Sequence, residues 1–348
     1  MIKNFNSDNY AGVHPEVLAA IADANTGHAP AYGDDAITTQ LTETLRGHFG
    51  QSARVFPVFN GTGANIVALS AITPRWGAVV CVESAHINVD EGGGPEAVAG
   101  VKLLTHKSDD GKLTAEMIHA SAVNIGNVHA AQPTAVSVSQ VTELGTIYSA
   151  AELRELAATA HDYGMRFHVD GSRLANAAAA LNCSLAALTT DIGADTVSLG
   201  GTKNGLLGAE AVIVLNDDIA GADLIRKQHM QLASKMRFFS AQLQAMYGTD
   251  LWLRLAAHAN AMAQRLADGI SALSREFPDS GVALTQTTAA NGVFAAMPDY
   301  VADRVRAEVD FYDWPIGANA RRLMCAFDHS EADVDYLLAL LREAITGA

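Results

Sequence analysis

The sequence predicts an α/β fold: a large domain on a mostly parallel sheet of the seven-stranded type, followed by a smaller α+β C-terminal domain. Three observations predict it. Short apolar runs alternate with helical periodicity from Val55 to about Leu215, with no internal repeat. At 348 residues, 49% hydrophobic and 18% charged, the chain can bury more than one core. A long amphipathic stretch from Leu251 to about Ser274 then separates this part from three further strand-like runs. The implied organisation is an N-terminal arm over 1–30, a large domain over 31–248 and a small domain over 249–348.

The arm is polar, with a short helix over Pro15–Ala24 whose proline sits where its missing N–H costs nothing. Arms of this kind often reach across a subunit boundary. A turn at Ala31–Asp35 precedes an amphipathic helix over Ile37–Phe49. Val55–Phe59 reads as a strand, and Asn60-Gly61-Thr62-Gly63-Ala64-Asn65 as a glycine-rich turn into the helix Ile66–Ile72. Strand, turn and helix in this order aim free N–H groups at a phosphate. Ala78–Val82 is a strand ending near His86, where an imidazole could stack on a planar ligand; alone, such a histidine is an ordinary loop residue. Asp90–Pro95 is a loop, Val101–Leu104 a short strand and Thr114–Ser121 a short helix with a threonine cap.

Thr134–Val141 alternates as a strand and leads into Thr142–Thr146. The helix Ala151–Tyr163 stops at Gly164. Met165–Val169 is the next strand; it ends in Asp170, and an alanine-rich helix follows Arg173. Asp195–Leu199 runs into Gly200-Gly201-Thr202-Lys203-Asn204-Gly205. Ala211–Leu215 fits an antiparallel edge strand, and Leu224–Met246 is helical. The small domain holds strands near Val282–Leu284, Gly292–Met297 and Leu323–Phe327 and a final helix over Glu331–Ile345. Of the tandem Arg321-Arg322, one could clamp a carboxylate.

The chemistry gathers at two strand ends. Ligands of a parallel sheet bind at the carboxyl ends of its strands, so Asp170 and Lys203 would face one crevice. That pairing suits pyridoxal phosphate, with Lys203 forming a Schiff base with the aldehyde and Asp170 facing the ring nitrogen. An anion about 4 Å from that nitrogen is worth roughly 4 kcal/mol at an effective dielectric near 20. This is about three pKa units, enough to keep the ring protonated as an electron sink. Separately, the aspartate would be a helix cap and the lysine a solvated charge; together, and behind the phosphate-type turn, they favour the cofactor.

The formal charge of −15 argues against nucleic acid or an anionic membrane as partner. Cys81, Cys183 and Cys325 are far apart with no CxxC spacing, which suits a reducing compartment and argues against a zinc site, other metal ligation or disulfides. The N-terminus is polar and no run is long and apolar enough for a membrane, so the expected location is the cytoplasm.

Taken in order, Ser7-Asp8, Tyr32-Gly33-Asp34-Asp35, Asn60–Asn65, Ala85-His86, His168-Val169-Asp170-Gly171-Ser172-Arg173, Gly201-Thr202-Lys203 and Arg322-Leu323-Met324-Cys325 resemble the low-specificity L-threonine aldolases. These are pyridoxal phosphate enzymes of the aspartate-aminotransferase-like fold (fold type I), and the resemblance spans essentially the whole chain. It implies that Lys203 carries the cofactor, Asp170 faces its nitrogen, Gly61 and Thr62 bind its phosphate and His86 stacks on its ring. Arg173 would contact the cofactor and, with Ser7, Tyr32 and Arg322, the amino-acid substrate. Arg237 would reach the phosphate of a neighbouring subunit, in a homotetramer built from dimers with active sites at the dimer interface. The implied reaction is retro-aldol cleavage of L-threonine, L-allo-threonine and related L-3-hydroxy-α-amino acids to glycine and an aldehyde. The rivals are another fold type I reaction (β-elimination, transamination or a phenylserine-type aldolase) and a non-catalytic α/β binding protein.

One segment departs from the family's pattern. Many members carry Glu-Asn-Thr-His-Asn-Gly where this chain has Gln140-Val141-Thr142-Glu143-Leu144-Gly145, so Glu143 stands in place of the histidine. A branch with a Thr-Glu-x-Gly segment fits better, and its upstream histidine matches His129. Three candidate bases result. His86 ranks first, as base or as holder of a water acting as base, on an unperturbed imidazole pKa of about 6.5; His129 ranks second and Glu143 third.

Overall fold

The seven strands of the large sheet are β1 (Arg54–Val58), β2 (Gly77–Val82), β3 (Lys102–His106), β4 (Gln132–Ser139), β5 (Arg166–Gly171), β6 (Thr196–Leu199) and β7 (Glu210–Val214). The structure, a computed structural model, describes residues 4–314 and 319–347. Residues 1–3 of the predicted arm, and 315–318 and 348 of the predicted small domain, lie outside the described residues. The strand order is β1-β7-β6-β5-β4-β2-β3. From β3 across to β6 all neighbours are parallel, while β7 is antiparallel to both β6 and β1. β2, β6 and β7 are buried at every position, the continuous apolar pattern of strands covered on both faces.

The predicted edge strand is therefore misplaced. β7 is antiparallel as expected, but it lies between β6 and β1, and β1 is the edge. Pro57 of β1 suits that place, since an edge strand tolerates a missing N–H. The helix expected from Ile66 begins at Gly61, because the Asn60 side chain caps it by accepting the N–H of Gly63 at 2.7 Å. The helical stretch expected over 224–246 is two helices, Ala222–Gln228 and Arg237–Tyr247. Met230 between them adopts the left-handed φ of 62°. Gln231 then turns back, its Oε1 accepting the N–H of Phe59 at 3.0 Å.

The small sheet has strands β8 (Ala283–Leu284), β9 (Gly292–Ala296), β10 (Tyr312–Asp313) and β11 (Ala320–Met324), antiparallel in the order β10-β11-β9-β8. The helices Leu251–Glu276, Asp299–Arg306 and Glu331–Thr346 pack with it. Neither β10 nor the helix Asp299–Arg306 was expected: the strand has two residues, and the helix buries only Val301, Ala302 and Val305. The long helix serves both cores. Leu251, Trp252, Leu255 and Ala256 belong to the large core, and Met262, Leu266, Ile270 and Leu273 to the small one.

The described part of the arm makes contacts within its own chain. Phe5 is fully buried in the small core, its N–H donating to the Asp310 carbonyl and its carbonyl accepting from Met324 N–H, both at 2.7 Å. His14 N–H donates to the Gly205 carbonyl at 2.9 Å, and the helix Pro15–Ala24 packs on Arg237–Tyr247. Between these anchors pass Ser7 and Asp8, which the arm delivers to the mouth of the sheet.

Candidate active site

A cavity of about 250 Å³ opens where β2, β5 and β6 end, with the start of the helix Gly61–Ile72 along one wall. Asn60, Gly61, Thr62, His86, Asp170 and Lys203 line it. Asn60 provides acceptors for the N–H groups of Gly63 and Ala64. Those of Gly61 and Thr62 keep the free, outward-facing character of a helix's first turn, suited to an anion.

Asp170, the next-to-last residue of β5, is 3% exposed. Its Oδ2 accepts from the Asn65 amide at 3.0 Å and its Oδ1 from the Ser172 N–H at 3.0 Å. Burial works against its charge, but the His86 and Lys203 charges and the Asn65 bond outweigh burial and hold the carboxyl below its ordinary value. It is an anion at neutral pH. The same Asn65 nitrogen donates to Glu91 Oε1 at 2.8 Å, and His86 Nδ1 lies 3.2 Å from that oxygen. One amide thus ties the aspartate to the carboxylate that orients the histidine. The bond to Glu91 raises the His86 pKa, and burial raises that of Glu91.

Lys203 follows β6 on a turn that admits no side chain at its glycines. A Cβ on Gly200 would meet the Ser172 carbonyl oxygen at 2.3 Å, and one on Gly201 the Ala209 carbonyl oxygen at 2.6 Å. The close approach explains both glycines and sets the lysine against the cavity.

A second, smaller hollow is lined by Glu143, Arg173, Asn291, Phe294 and Arg322 among others. Asp8 takes the Arg173 fork, with Nε to Oδ2 at 2.7 Å and Nη2 to Oδ1 at 3.0 Å, and Asn291 donates to the same carboxylate at 3.1 Å. Arg322 lies over the Trp314 ring, 4.5 Å from its centroid, and donates from Nη2 to the Asn6 carbonyl at 3.2 Å. Its Nε is buried with no partner among the described residues. Burial and the Arg173 charge both hold Arg322 below its ordinary pKa, a strain that an added anion relieves.

A phosphate seat, an amine and a buried carboxylate on one cavity fit pyridoxal phosphate, and comparison with known proteins agrees. Residues 4–296 match the family model of the beta-eliminating lyases. The chain belongs to that family. It is 41% identical over 347 residues to the low specificity L-threonine aldolase of Pseudomonas sp. (strain NCIMB 10558), covering 99% of this chain and 98% of that one. Identity to the low specificity L-threonine aldolase of Pseudomonas aeruginosa is 40% over 344 residues, or 98% and 96% of the two chains. The solved threonine aldolase of Leishmania major superposes with a TM-score of 0.91 at 27% identity, over 99% of each chain. The large mostly parallel sheet and the small antiparallel one are those of this fold.

The fold of this lyase brings together most of the residues singled out in the sequence. Lys203, Asp170, Gly61, Thr62 and His86 share the main cavity, and Arg173, Arg322 and Glu143 the adjoining hollow. Ser7 is buried nearby and caps the Asp8–Tyr10 turn, its Oγ accepting the Asn9 N–H at 3.2 Å. Ser7 lines neither space, and three further residues lie away from both within one chain. Tyr32 is half exposed beneath Lys227, Arg237 rests on Phe238, and His129 is exposed on the loop after the helix Ala115–Ala122. Within one chain, Glu143 lies at the adjoining hollow and His129 lies away from both spaces.

Glu91, Glu210 and the Asp8–Arg173 pairing were missed. Glu91 sits beside glycines in a stretch that reads as a loop, Glu210 stands just ahead of the strand expected from Ala211, and both are buried.

Proposed function

We propose that this lyase is a pyridoxal phosphate-dependent aldolase that cleaves L-threonine, L-allo-threonine and related L-3-hydroxy-α-amino acids to glycine and an aldehyde. The supporting observation is the convergence on one cavity of the Lys203 amine, the Asp170 carboxylate and the helix N-terminus at Gly61 and Thr62. When bound, the cofactor supplies an aldehyde for amine exchange and a cationic ring that accepts the electron pair of the breaking Cα–Cβ bond. Lys203 would hold it through its side-chain amine. Asp170, its plane fixed by Asn65 and Ser172, keeps the ring nitrogen protonated. Gly61 and Thr62 bind the phosphate, and His86 covers the ring.

The substrate α-carboxylate goes to Arg322, whose buried Nε lacks a partner, with Ser7 and the Arg173 nitrogen left free by Asp8. The β-hydroxyl proton must leave as the bond breaks. With Nδ1 turned to Glu91, His86 keeps Nε2 to take that proton, directly or through a water.

His86→Phe should lower aldehyde release by about 10²–10⁴-fold, and His129→Phe and Glu143→Gln by less. Retained activity in His86→Phe with loss in His129→Phe would reverse this assignment. A base must be neutral to act, so kcat/KM should fall as pH drops below the raised His86 pKa. Glu91→Gln removes the anion that favours the imidazolium, so the acidic limb should move to lower pH in a pH–rate profile.

Both L-threonine diastereomers should be cleaved and D-threonine left intact, because the carboxylate subsite would fix the α-carbon and leave the β-substituent loosely held. Assaying glycine and aldehyde against ammonia and keto acid tests this, since β-elimination gives ammonia and a keto acid, and transamination gives a keto acid while its amino group passes to an added acceptor. Cleavage of D-threonine, or rejection of one L-diastereomer, counts against the broad specificity.

The enzyme works as a homotetramer with sites at the dimer interface. Tyr10, Tyr32, Leu207 and Met230 are 50–77% exposed on segments that flank the cavity, an apolar rim that a second subunit would cover. Tyr32, Arg237 and His129 then serve a neighbour's site. Its place is the cytoplasm, which suits three free cysteines.

A further inference from the structure

We propose that Glu210 is a positioning residue for Lys203, anchoring as an anion the turn that carries the lysine and favouring the proton on the nitrogen that joins lysine and cofactor. This rests on the reading of Lys203 as the cofactor's lysine. Glu210 opens β7, paired with Val58 of β1, and its carboxylate is buried at the floor of the main cavity. Oε2 accepts the Gly201 N–H at 2.6 Å and Oε1 the Thr202 N–H at 3.2 Å. From the other side, the Tyr247 hydroxyl donates to the Gly200 carbonyl. Three successive residues before Lys203 are thus held by two buried side chains, and the glycines leave the turn no room to shift.

The bonding favours the ionised form. Both carboxylate oxygens accept from N–H groups, and such bonds are stronger to the anion than to the neutral acid. Burial pushes the Glu210 carboxyl up to about 7, with the Thr202 and Gly201 bonds and the Lys203 charge opposing. Glu210 and Lys203 line the same cavity, and a buried anion there favours positive charge on the nitrogen that joins lysine and cofactor. The charged groups facing that nitrogen are Asp8, Asp170, Glu210 and, in its protonated form, His86. Among the three anions, Asp8 is committed to Arg173 and Asp170 to the ring, which leaves Glu210 to act on the lysine.

The test is a pH titration of the visible absorption of the cofactor-loaded protein. Glu210→Gln keeps the shape and removes the charge, so its midpoint should fall by about one unit or more. Glu210→Asp, whose carboxylate is withdrawn by one methylene, should shift it in the same direction by less, and it carries the test if the glutamine variant does not fold. Tyr247→Phe loosens the same turn without changing charge, so it should lower the melting temperature and leave the midpoint in place. Parent-like midpoints in both Glu210 variants, or a Tyr247→Phe shift as large as that of Glu210→Gln, overturn the proposal. Borohydride reduction and peptide mapping separate this from the underlying reading. Cofactor mass on the Lys203 peptide supports that reading; mass on another lysine overturns it and this proposal with it.

Discussion

Lys203→Ala abolishes aldehyde release, by roughly four orders of magnitude or more, and leaves no cofactor fixed by borohydride, while the protein remains folded. Of the lysines among the described residues, Lys203 alone lines the main cavity. Lys112 is paired with Glu152 and Lys227 lies over Tyr32, so neither stands ready as a substitute. Alanine fits the turn, since the close contacts there belong to Gly200 and Gly201. The anions facing the lost charge need not destabilise the fold. Glu210, already pushed up to about 7 by burial, takes up a proton more readily once Lys203 is gone. Circular dichroism and a melting curve check the fold, and the aldehyde assay checks turnover; near-normal turnover without added amine would remove Lys203 from the mechanism.

Asp170→Asn lowers kcat by about a thousandfold and cofactor affinity by much less. The size comes from the roughly three pKa units that a facing anion lends the ring nitrogen, each worth tenfold in the protonated fraction. Asparagine has the right shape but the wrong hydrogen-bonding pattern. Asp170 accepts from both Asn65 and the Ser172 N–H, and an amide nitrogen in either place would meet a donor. A further loss of about 1–3 kcal/mol from that mismatch falls on stability. Steady-state kinetics beside a cofactor titration separate the effects; equal losses in kcat and affinity would mean that Asp170 only binds.

Asp170 and Lys203 were legible in the sequence because each needs one local step, an apolar strand followed by an unusual residue at its end. Asn60–Asn65 was legible for the same reason, as a glycine-rich turn after a strand, although the helix start that Asn60 caps within it was not. What the sequence hides is pairing across distance. Asp8 and Arg173 meet across 165 positions, and nothing near either one predicts the partner. Glu91 looks like a charge in a glycine-rich loop until the fold buries it between His86 and Asn65. The place of β7 between β6 and β1 is likewise a tertiary fact, although Pro57 carries a readable hint that β1 is the edge. The break near Met230 has no such hint, since a methionine in a left-handed conformation is imposed by its surroundings.

The helix Leu251–Glu276 has a consequence for how the molecule comes apart. Its 26 residues run for about 39 Å, with one end sealed into each hydrophobic core. Melting the small core would expose Met262, Leu266 and Ile270 on a rod whose first turns are still gripped by the large core. The partly unfolded state would keep the rigidity of the helix without the burial that offsets its entropy cost. The two cores are therefore expected to melt together, as a single calorimetric transition would register.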